Sequence, residues 1–275
     1  MTDFETQLLA LFETAALRAG RIILDIYECG CSVDTKADSS PVTEADIAAE
    51  AEILAVLAPA LVDIPVIAEE QMSQGIQPDI SGGRFLLIDP LDGTREFISR
   101  NGEFTVNIAL IEHGVPVAGI VYAPVLATAY LGGASAAWKL AIGENDEVVE
   151  RTQIRVRPRQ TPPVALTSRS HRDAFIGPYL DSLGVKDCRI VGSSLKFGVL
   201  AEGAADLYAR YNRTMEWDTA AGDAVLRAAG GMTLTADGTP LKYGKTGQSG
   251  DADFANPGFF AWGQPSLYST PSNSN

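Results

Sequence analysis

The fold of this chain is best approached from one stretch, RFLLIDPLDGTREF, which covers residues 84–97. Its apolar first half predicts a buried strand that ends at Asp89, where Pro90 predicts an abrupt exit. Asp92 follows three residues later, and Gly93 permits a tight turn before a predicted helix. The stretch therefore predicts two carboxylates held in one turn between a strand and a helix.

Such a turn has two interpretations. Paired carboxylates can share or bridge hard cations, and the backbone N–H groups of Gly93 and Thr94 at a helix start suit a phosphate oxygen. Asp-Pro and Asp-Gly are also common dipeptides of ordinary polar turns. The stretch alone leaves a metal–phosphate site and a simple turn about equally open.

The composition limits the class of protein. The 275 residues are 46% hydrophobic and 20% charged, which is typical of a globular chain. A net charge of −14 argues against a nucleic-acid polymer as partner, because phosphate backbones require a surplus of Lys and Arg. A small anionic substrate stays open, since bound divalent cations can reverse the local sign of charge.

The small number of cysteines and histidines limits which metals the chain is expected to bind. Cys29, Cys31 and Cys188 are odd in number and form no Cys-x-x-Cys pair, so we expect no disulfide framework. His113 and His171 are the only histidines, which disfavours a structural zinc site. A bound metal is therefore expected to have oxygen ligands, as Mg²⁺, Mn²⁺ and Ca²⁺ do.

No targeting signal or membrane span is visible. The N-terminus is acidic where a leader would be basic, and the longest apolar stretches are short and broken by Gly or Pro. We expect a cytoplasmic protein. The sequence leaves open whether it meets the cytoplasmic face of the inner membrane, and whether it is a monomer or a homodimer.

The first half of the chain predicts two helices and a sheet. Apolar residues at three- and four-residue steps predict a helix over Phe4–Tyr27, and a capping box with Asp46 in place of Glu predicts a second over Thr43–Leu57. Short apolar runs follow at 64–68 and 85–88. An antiparallel hairpin is predicted from Phe104–Ile111 and Val115–Tyr122, with a further strand near 127–131.

A basic, proline-rich stretch at 151–163 predicts a domain boundary. We expect an N-terminal α+β subdomain at 1–152, a C-terminal α/β subdomain at 153–262 and a flexible tail at 263–275. The alternation in the second half predicts strands and helices in turn. Strands are expected at 164–167 and 189–191, and helices at 173–183, 194–202 and 219–229.

Five further acidic residues are ambiguous when each is taken alone. Glu69 and Glu70 end an apolar run and fit a solvated strand edge. Asp46 and Asp218 each fit a helix cap, and Asp223 fits a solvated helix face. The separate signals do not make a site without a reason for them to converge.

The motifs supply that reason, because they resemble the signatures of the inositol monophosphatase-like, Mg²⁺-dependent, Li⁺-sensitive phosphatases. The match runs from about residue 10 to residue 260, and within the family the chain is most similar to the bisphosphate nucleotidase branch. The core motifs are Glu69-Glu70, Asp89–Thr94 and Trp217–Gly222, in the family's order. The more specific ones are Ser40–Thr43 with Asp46, Arg100–Leu110, Ser168–His171 and Gly192–Phe197.

The resemblance implies a set of roles. One Mg²⁺ is expected on Glu69, Asp89 and the carbonyl of Leu91, and a second on Asp89, Asp92 and Asp218, with two or three ions in all and Mn²⁺ as a substitute. Asp46 and Thr94 are expected to position and deprotonate the attacking water. Substrate contacts are expected from Glu69, Gly93, Thr94, Asp218, Ser168, His171, Ser193 and Lys196.

The resemblance also implies a fold and a reaction. The fold is an αβαβα layered sandwich of two subdomains with the metal site between them. The reaction is hydrolysis of the 3′-phosphate of adenosine 3′,5′-bisphosphate to AMP and phosphate in sulfate assimilation, with 3′-phosphoadenylyl sulfate as a second substrate. Alternatives are an inositol monophosphatase or sugar-bisphosphatase, and a non-catalytic nucleotide or metal binder. On residue type alone, Lys196 also fits a surface lysine and His171 a loop histidine.

Overall fold

A computed structural model of the chain describes residues 3–30, 33–35, 41–134, 136–168 and 176–264. These residues form seven helices: α1 Asp3–Cys29, α2 Glu44–Leu57, α3 Glu69–Ser73, α4 Thr94–Ile98, α5 Ile176–Ser182, α6 Leu195–Ala201 and α7 Ala220–Ala228. None of the helices in these ranges combines the length and the apolar character that a bilayer-spanning segment needs.

The first half of the chain builds a seven-stranded sheet in simple sequence order, β3-β4-β5-β6-β7-β8-β9. All neighbouring pairs are antiparallel except β3 and β4, which run parallel. The strands are β3 Val66–Ala68, β4 Arg84–Asp92, β5 Thr105–Glu112, β6 Val115–Ala123, β7 Thr128–Gly132, β8 Ala137–Ile142 and β9 Val148–Ile154, and a small ribbon pairs β1 Val33–Thr35 with β2 Pro41–Thr43.

The second half builds a five-stranded sheet of order β11-β10-β12-β16-β14. Its three strands that alternate with helices are parallel, as the alternation predicts, and its last two strands are antiparallel to their neighbours. The strands are β10 Val164–Ser168, β11 Asp187–Val191, β12 Leu207–Arg210, β14 Met232–Thr235 and β16 Phe259–Trp262, and β13 Thr214–Met215 pairs separately with β15 Ala255–Asn256.

Three apolar cores separate five layers. The first lies between the large sheet and helices α1 and α2, and contains Phe12 and Ile108. The second joins both sheets through α6 and α7, and contains Phe197 and Val225. The third places α5 on the outer face of the small sheet. The predicted αβαβα sandwich is confirmed.

Two local predictions are wrong. The strand β4 does not end at Asp89, because pairing with β5 resumes at Asp92 after a register shift that accommodates Pro90. Asp223 is fully buried rather than solvated, since its carboxylate accepts hydrogen bonds from Arg227 and from the Tyr243 hydroxyl.

The predicted tail also begins too early. Gly263 donates a hydrogen bond to the carbonyl of Asp206, and the Gln264 side chain accepts one from the backbone of Arg159. These two residues therefore belong to the packed part of the chain. Residues 265–275 lie outside the described ranges.

Candidate active site

A cleft of about 240 Å³ opens where the end of β4, the end of β10 and the turn before α7 meet. It collects residues that lie as far apart in sequence as Glu69 and Asp218. Among the predicted site residues, the cleft is lined by Glu69, Asp89, Leu91, Asp92, Gly93, Thr94, Ser168, Ser193, Lys196 and Asp218. The predicted substrate contact His171 lies outside the described residues.

Three carboxylates converge at the floor of this cleft. Oxygens of Glu69, Asp89 and Asp218 all lie within 4.8 Å of one another. The sheet explains two of them, because β3 and β4 are parallel neighbours with Ala68 opposite Ile88. The residues that follow this pair are Glu69 and Asp89, so the two acids lie side by side at the same edge. Asp218 arrives from the turn before α7, where its Oδ2 accepts a hydrogen bond from the Met215 amide at 2.8 Å.

The electrostatics of this cluster favour a bound cation. Burial, together with repulsion from Asp92 and Glu69, raises the pKa of Asp218 well above its usual range. A divalent cation would remove that penalty, and a set of carboxylate oxygens is the donor set that hard cations prefer. The residues present therefore fit a divalent metal site. A solvated strand edge is the wrong interpretation for Glu70, which is only 3% exposed.

Asp92 lines the same cleft and is held by residues from the second half of the chain. Its Oδ2 accepts hydrogen bonds from the Ser193 hydroxyl at 2.5 Å and from the Ser194 amide at 2.6 Å. Burial raises the pKa of Asp92, and these two donors and Lys196 act against that rise. One carboxylate oxygen of Asp92 is therefore fixed by the turn between β11 and α6.

Asp46 in the first turn of α2 contacts Thr94, the first residue of α4. The Thr94 hydroxyl donates to Oδ1 of Asp46 at 3.2 Å and also lies 3.4 Å from the Leu91 carbonyl. The other oxygen of Asp46 accepts from the Thr43 amide and hydroxyl, each at 2.7 Å. The predicted capping box is confirmed, and it fixes the orientation of a carboxylate that also binds Thr94.

Gly93 supplies the backbone geometry beside this pair. It has a φ of 93° and is the N-cap of α4, so the chain turns there in a conformation that side-chain-bearing residues avoid. The turn brings the Thr94 hydroxyl to face the Leu91 carbonyl one turn back. The predicted tight turn at Gly93 is confirmed.

Lys196 is not a surface lysine, since it is only 2% exposed. Its Nζ donates to the carbonyls of Val191 and Ser193 and lies 4.9 Å from the centre of the Tyr208 ring. Burial lowers the pKa of Lys196 to about 8, and the charge of Asp92 acts against that change. The lysine thus ties the turn 191–193 together at the lining of the cleft.

The cleft lining contains residues that are missing from the sequence-based set, among them Tyr208, Arg210 and Arg213. Tyr208 and Arg210 alternate on the short strand β12, so they share one face. A strand with period-two polar residues shortly before the Trp217-Asp218 motif is the signal that would have found them. With Lys196, the two arginines bring positive charge into the same cleft as the carboxylates.

Most of the chain matches one known protein family. The sequence model described as the inositol monophosphatase family matches residues 5–259. The chain belongs to the inositol monophosphatase family. Members of this family depend on metal ions, which agrees with the carboxylate cluster in the cleft.

Relatives within the inositol monophosphatase family share most of their length with this chain. It is 47% identical to the 3′(2′),5′-bisphosphate nucleotidase CysQ of Escherichia coli O157:H7, over 89% of this chain and 95% of that protein. It is 32% identical to the protein of the same name from Haemophilus influenzae, over 83% of this chain and 84% of that protein.

Solved structures of the family share the fold. The crystal structure of CysQ from Bacteroides thetaiotaomicron matches with a TM-score of 0.77 and 36% identity, covering 95% of this chain and 98% of that chain. The IMPase of Thermotoga maritima matches with a TM-score of 0.73 and 25% identity, covering 94% and 92%.

Proposed function

We propose that this chain is a Mg²⁺-dependent 3′(2′),5′-bisphosphate nucleotidase that converts adenosine 3′,5′-bisphosphate to AMP and phosphate in sulfate assimilation. The observation that carries the proposal is the 47% identity, over 89% of the chain, to a curated nucleotidase of that name. The cleft supports it, because carboxylates and the cationic side chains of Lys196, Arg210 and Arg213 line it together. That arrangement suits a substrate with two phosphates.

The proposed metal ligands are those that the family resemblance implies, and three of them are the carboxylates of the cluster. Glu69, Asp89 and the Leu91 carbonyl would hold one Mg²⁺, and Asp89 would share a second with Asp92 and Asp218. When bound, the ions supply Lewis-acid stabilisation of the charge that develops on the phosphoryl oxygens. They also explain how a chain with a net charge of −14 accepts an anionic substrate.

The proton path runs through Thr94 and Asp46. The Thr94 hydroxyl donates to Asp46, so its lone pairs are left to accept a proton from the attacking water. As water adds to phosphorus, its proton passes to Thr94 and the Thr94 proton passes to Asp46. The bond from phosphorus to O3′ breaks, and O3′ takes a proton from solvent to give AMP and inorganic phosphate.

The cationic side chains of the cleft would recognise the rest of the substrate. Lys196 and Arg210 lie beside the cleft and are both at least nine-tenths buried, so their charges are weakly screened. The hydroxyls of Ser168 and Ser193 offer hydrogen bonds to the ribose or to the uncleaved phosphate. These side chains are the part of the site that would distinguish a bisphosphate from a monophosphate.

Replacing Thr94 by Val is expected to lower kcat about 100-fold, because the relay loses its hydroxyl, with little change in KM. Thr94→Ser, which keeps the hydroxyl, should stay within a few-fold of the wild type. Steady-state rates with adenosine 3′,5′-bisphosphate measure both variants. A Thr94→Val enzyme that kept its full kcat would contradict the relay.

The proposed substrate is tested by measuring phosphate release from adenosine 3′,5′-bisphosphate, inositol 1-phosphate and fructose 1,6-bisphosphate, with Mg²⁺ and with or without Li⁺. We expect preference for the nucleotide, inhibition by Li⁺ and no activity after chelation of the metal. Preference for inositol or sugar phosphate would overturn the nucleotide assignment. Nucleotide binding without phosphate release from any substrate would favour a non-catalytic binder.

A further inference from the structure

The segment Glu103–Asn107 is a sequence motif that the reaction above leaves unused. Three of its polar side chains, at 103, 105 and 107, occur at every second residue, which places them on one face of an extended chain. In the pairing of β4 with β5, Thr105 lies opposite Asp92 and Asn107 lies opposite Asp89. The motif thus runs directly alongside two predicted metal ligands.

All three side chains of this face contact the turn Gly192–Ser194. The Glu103 carboxylate accepts a hydrogen bond from the Gly192 amide at 2.8 Å. The Thr105 hydroxyl lies 2.6 Å from the Ser193 hydroxyl and 2.7 Å from the Ser194 hydroxyl. The amide oxygen of Asn107 accepts from the Ser194 hydroxyl at 2.6 Å. The large sheet is thereby joined to the turn that precedes α6.

Proton counting fixes the direction of this network. The single proton of the Ser193 hydroxyl goes to Asp92, and that of Ser194 goes to the Asn107 oxygen. Neither serine has a second proton for Thr105. Thr105 also has a single hydroxyl proton, so it must donate that proton to one of the two serine hydroxyls. It is fully buried, where loss of a donor is costly.

We propose that Thr105 is a positioning residue: it orients the Ser193–Ser194 turn, and through that turn it holds Asp92 where the second metal ion is bound. The inference rests on the proposed function for the role of Asp92. The same turn carries Ser193 toward the cleft, so one network fixes a metal ligand and a substrate contact together. Thr105 touches neither metal nor substrate and acts only through the serines.

Replacing Thr105 by Val keeps the shape of the side chain and removes its proton. The Mn²⁺ concentration that half-saturates the protein is expected to rise about tenfold, the lower end of the effect of losing a supporting contact behind a metal ligand. Thr105→Ser, which restores the hydroxyl, should return the half-saturating concentration to within about twofold of the wild type. Calorimetric titration of the metal-free protein with Mn²⁺ measures this without any substrate.

Thr233→Val is the matched control, because Thr233 is a fully buried threonine on β14 of the other sheet. It should leave the Mn²⁺ titration unchanged. If Thr105→Val does not fold, Ser194→Ala breaks the same chain of hydroxyls from the turn and should weaken Mn²⁺ binding. Unchanged Mn²⁺ binding in Thr105→Val, or equal losses in Thr105→Val and Thr105→Ser, would overturn the inference.

The two proposals fail in different ways. A wild-type protein that binds Mn²⁺ but hydrolyses no adenosine bisphosphate would contradict the proposed function alone, and the variants would still test Thr105. A wild-type protein that hydrolyses the nucleotide, with a Thr105→Val variant that binds Mn²⁺ normally, would contradict the inference alone. A wild-type protein that binds no Mn²⁺ would overturn both.

Discussion

Replacing Asp218 by Asn is expected to abolish phosphate release, by on the order of 1,000-fold or more, and to make the metal-free protein more stable. The loss of activity follows from removing a charge from the proposed metal site. The gain in stability follows from the raised pKa of Asp218, which burial and the neighbouring Asp92 and Glu69 cause. Because folding raises this pKa, ionisation of the carboxylate opposes folding, and a neutral amide of the same shape removes that cost.

Two measurements check the Asp218→Asn prediction: phosphate release with Mg²⁺, and the unfolding temperature of the chelated protein. The amide oxygen of Asn can still accept the hydrogen bond from Met215, so the turn should keep its shape. Asp181→Asn, an exposed position on α5, is the control and should change neither quantity. A variant with full activity would refute the metal role, and a lower unfolding temperature without metal would refute the electrostatic argument.

The sequence predicts the parts of the site that local patterns encode. The Thr43–Asp46 capping box is visible as a short motif, and it fixes the Asp46 carboxylate that contacts Thr94. Asp89 follows an apolar run, so its place at a strand edge can be derived from hydrophobicity. The convergence of Glu69, Asp89 and Asp218 on one cleft came only from the family resemblance, because it depends on how distant segments pack.

The remaining features depend on tertiary contacts that no local pattern contains. Asp223 fits a solvated helix face in sequence, yet packing of α7 between the sheets buries it against Arg227 and Tyr243. The sequence pattern around Thr105 is that of an ordinary strand residue. Its contact with Ser193 joins two residues that are 88 positions apart, so only the folded chain shows it. In both cases the partner is set by layer packing rather than by neighbours in the chain.

Replacing Asp206 by Asn is expected to lower the unfolding temperature by on the order of 8 °C, which corresponds to about 3 kcal/mol in a domain of this size. The Asp206 side chain is 1% exposed and pairs with the Arg157 guanidinium through two hydrogen bonds, at 3.1 and 2.8 Å. It also accepts from the amides of Gln160 and Val164. The Asn side chain has one acceptor oxygen where Asp has two. The Asp206→Asn variant would therefore leave the donors to one of the two oxygens without an acceptor.

Asp187→Asn is the matched control, because Asp187 pairs with Arg189 on the surface at 3.3 Å, with both side chains about half exposed. Such a pair contributes at most about 1 kcal/mol, so the unfolding temperature of the control should move little. Thermal unfolding at pH 7, followed by circular dichroism, compares the two variants. Equal effects in the two variants would mean that burial of Asp206 adds nothing to its pairing.

The same contacts predict how the Asp206 contribution changes with pH. Burial raises the pKa of Asp206, but the hydrogen bonds from Arg157, Val164 and Gln160 outweigh it, so the pKa is lower than in the unfolded chain. A carboxyl with a lowered pKa stabilises the fold fully above its unfolded pKa, near 3.9, and loses that effect as the pH falls through the folded pKa. The difference in unfolding temperature between the wild type and Asp206→Asn should therefore be largest at pH 7 and shrink below pH 4. The Asp206 contacts hold the stretch 157–164, which leads from the large sheet into the small one. If the difference in unfolding temperature stayed constant down to low pH, the shape of the Asp206 side chain rather than its charge would stabilise this connection.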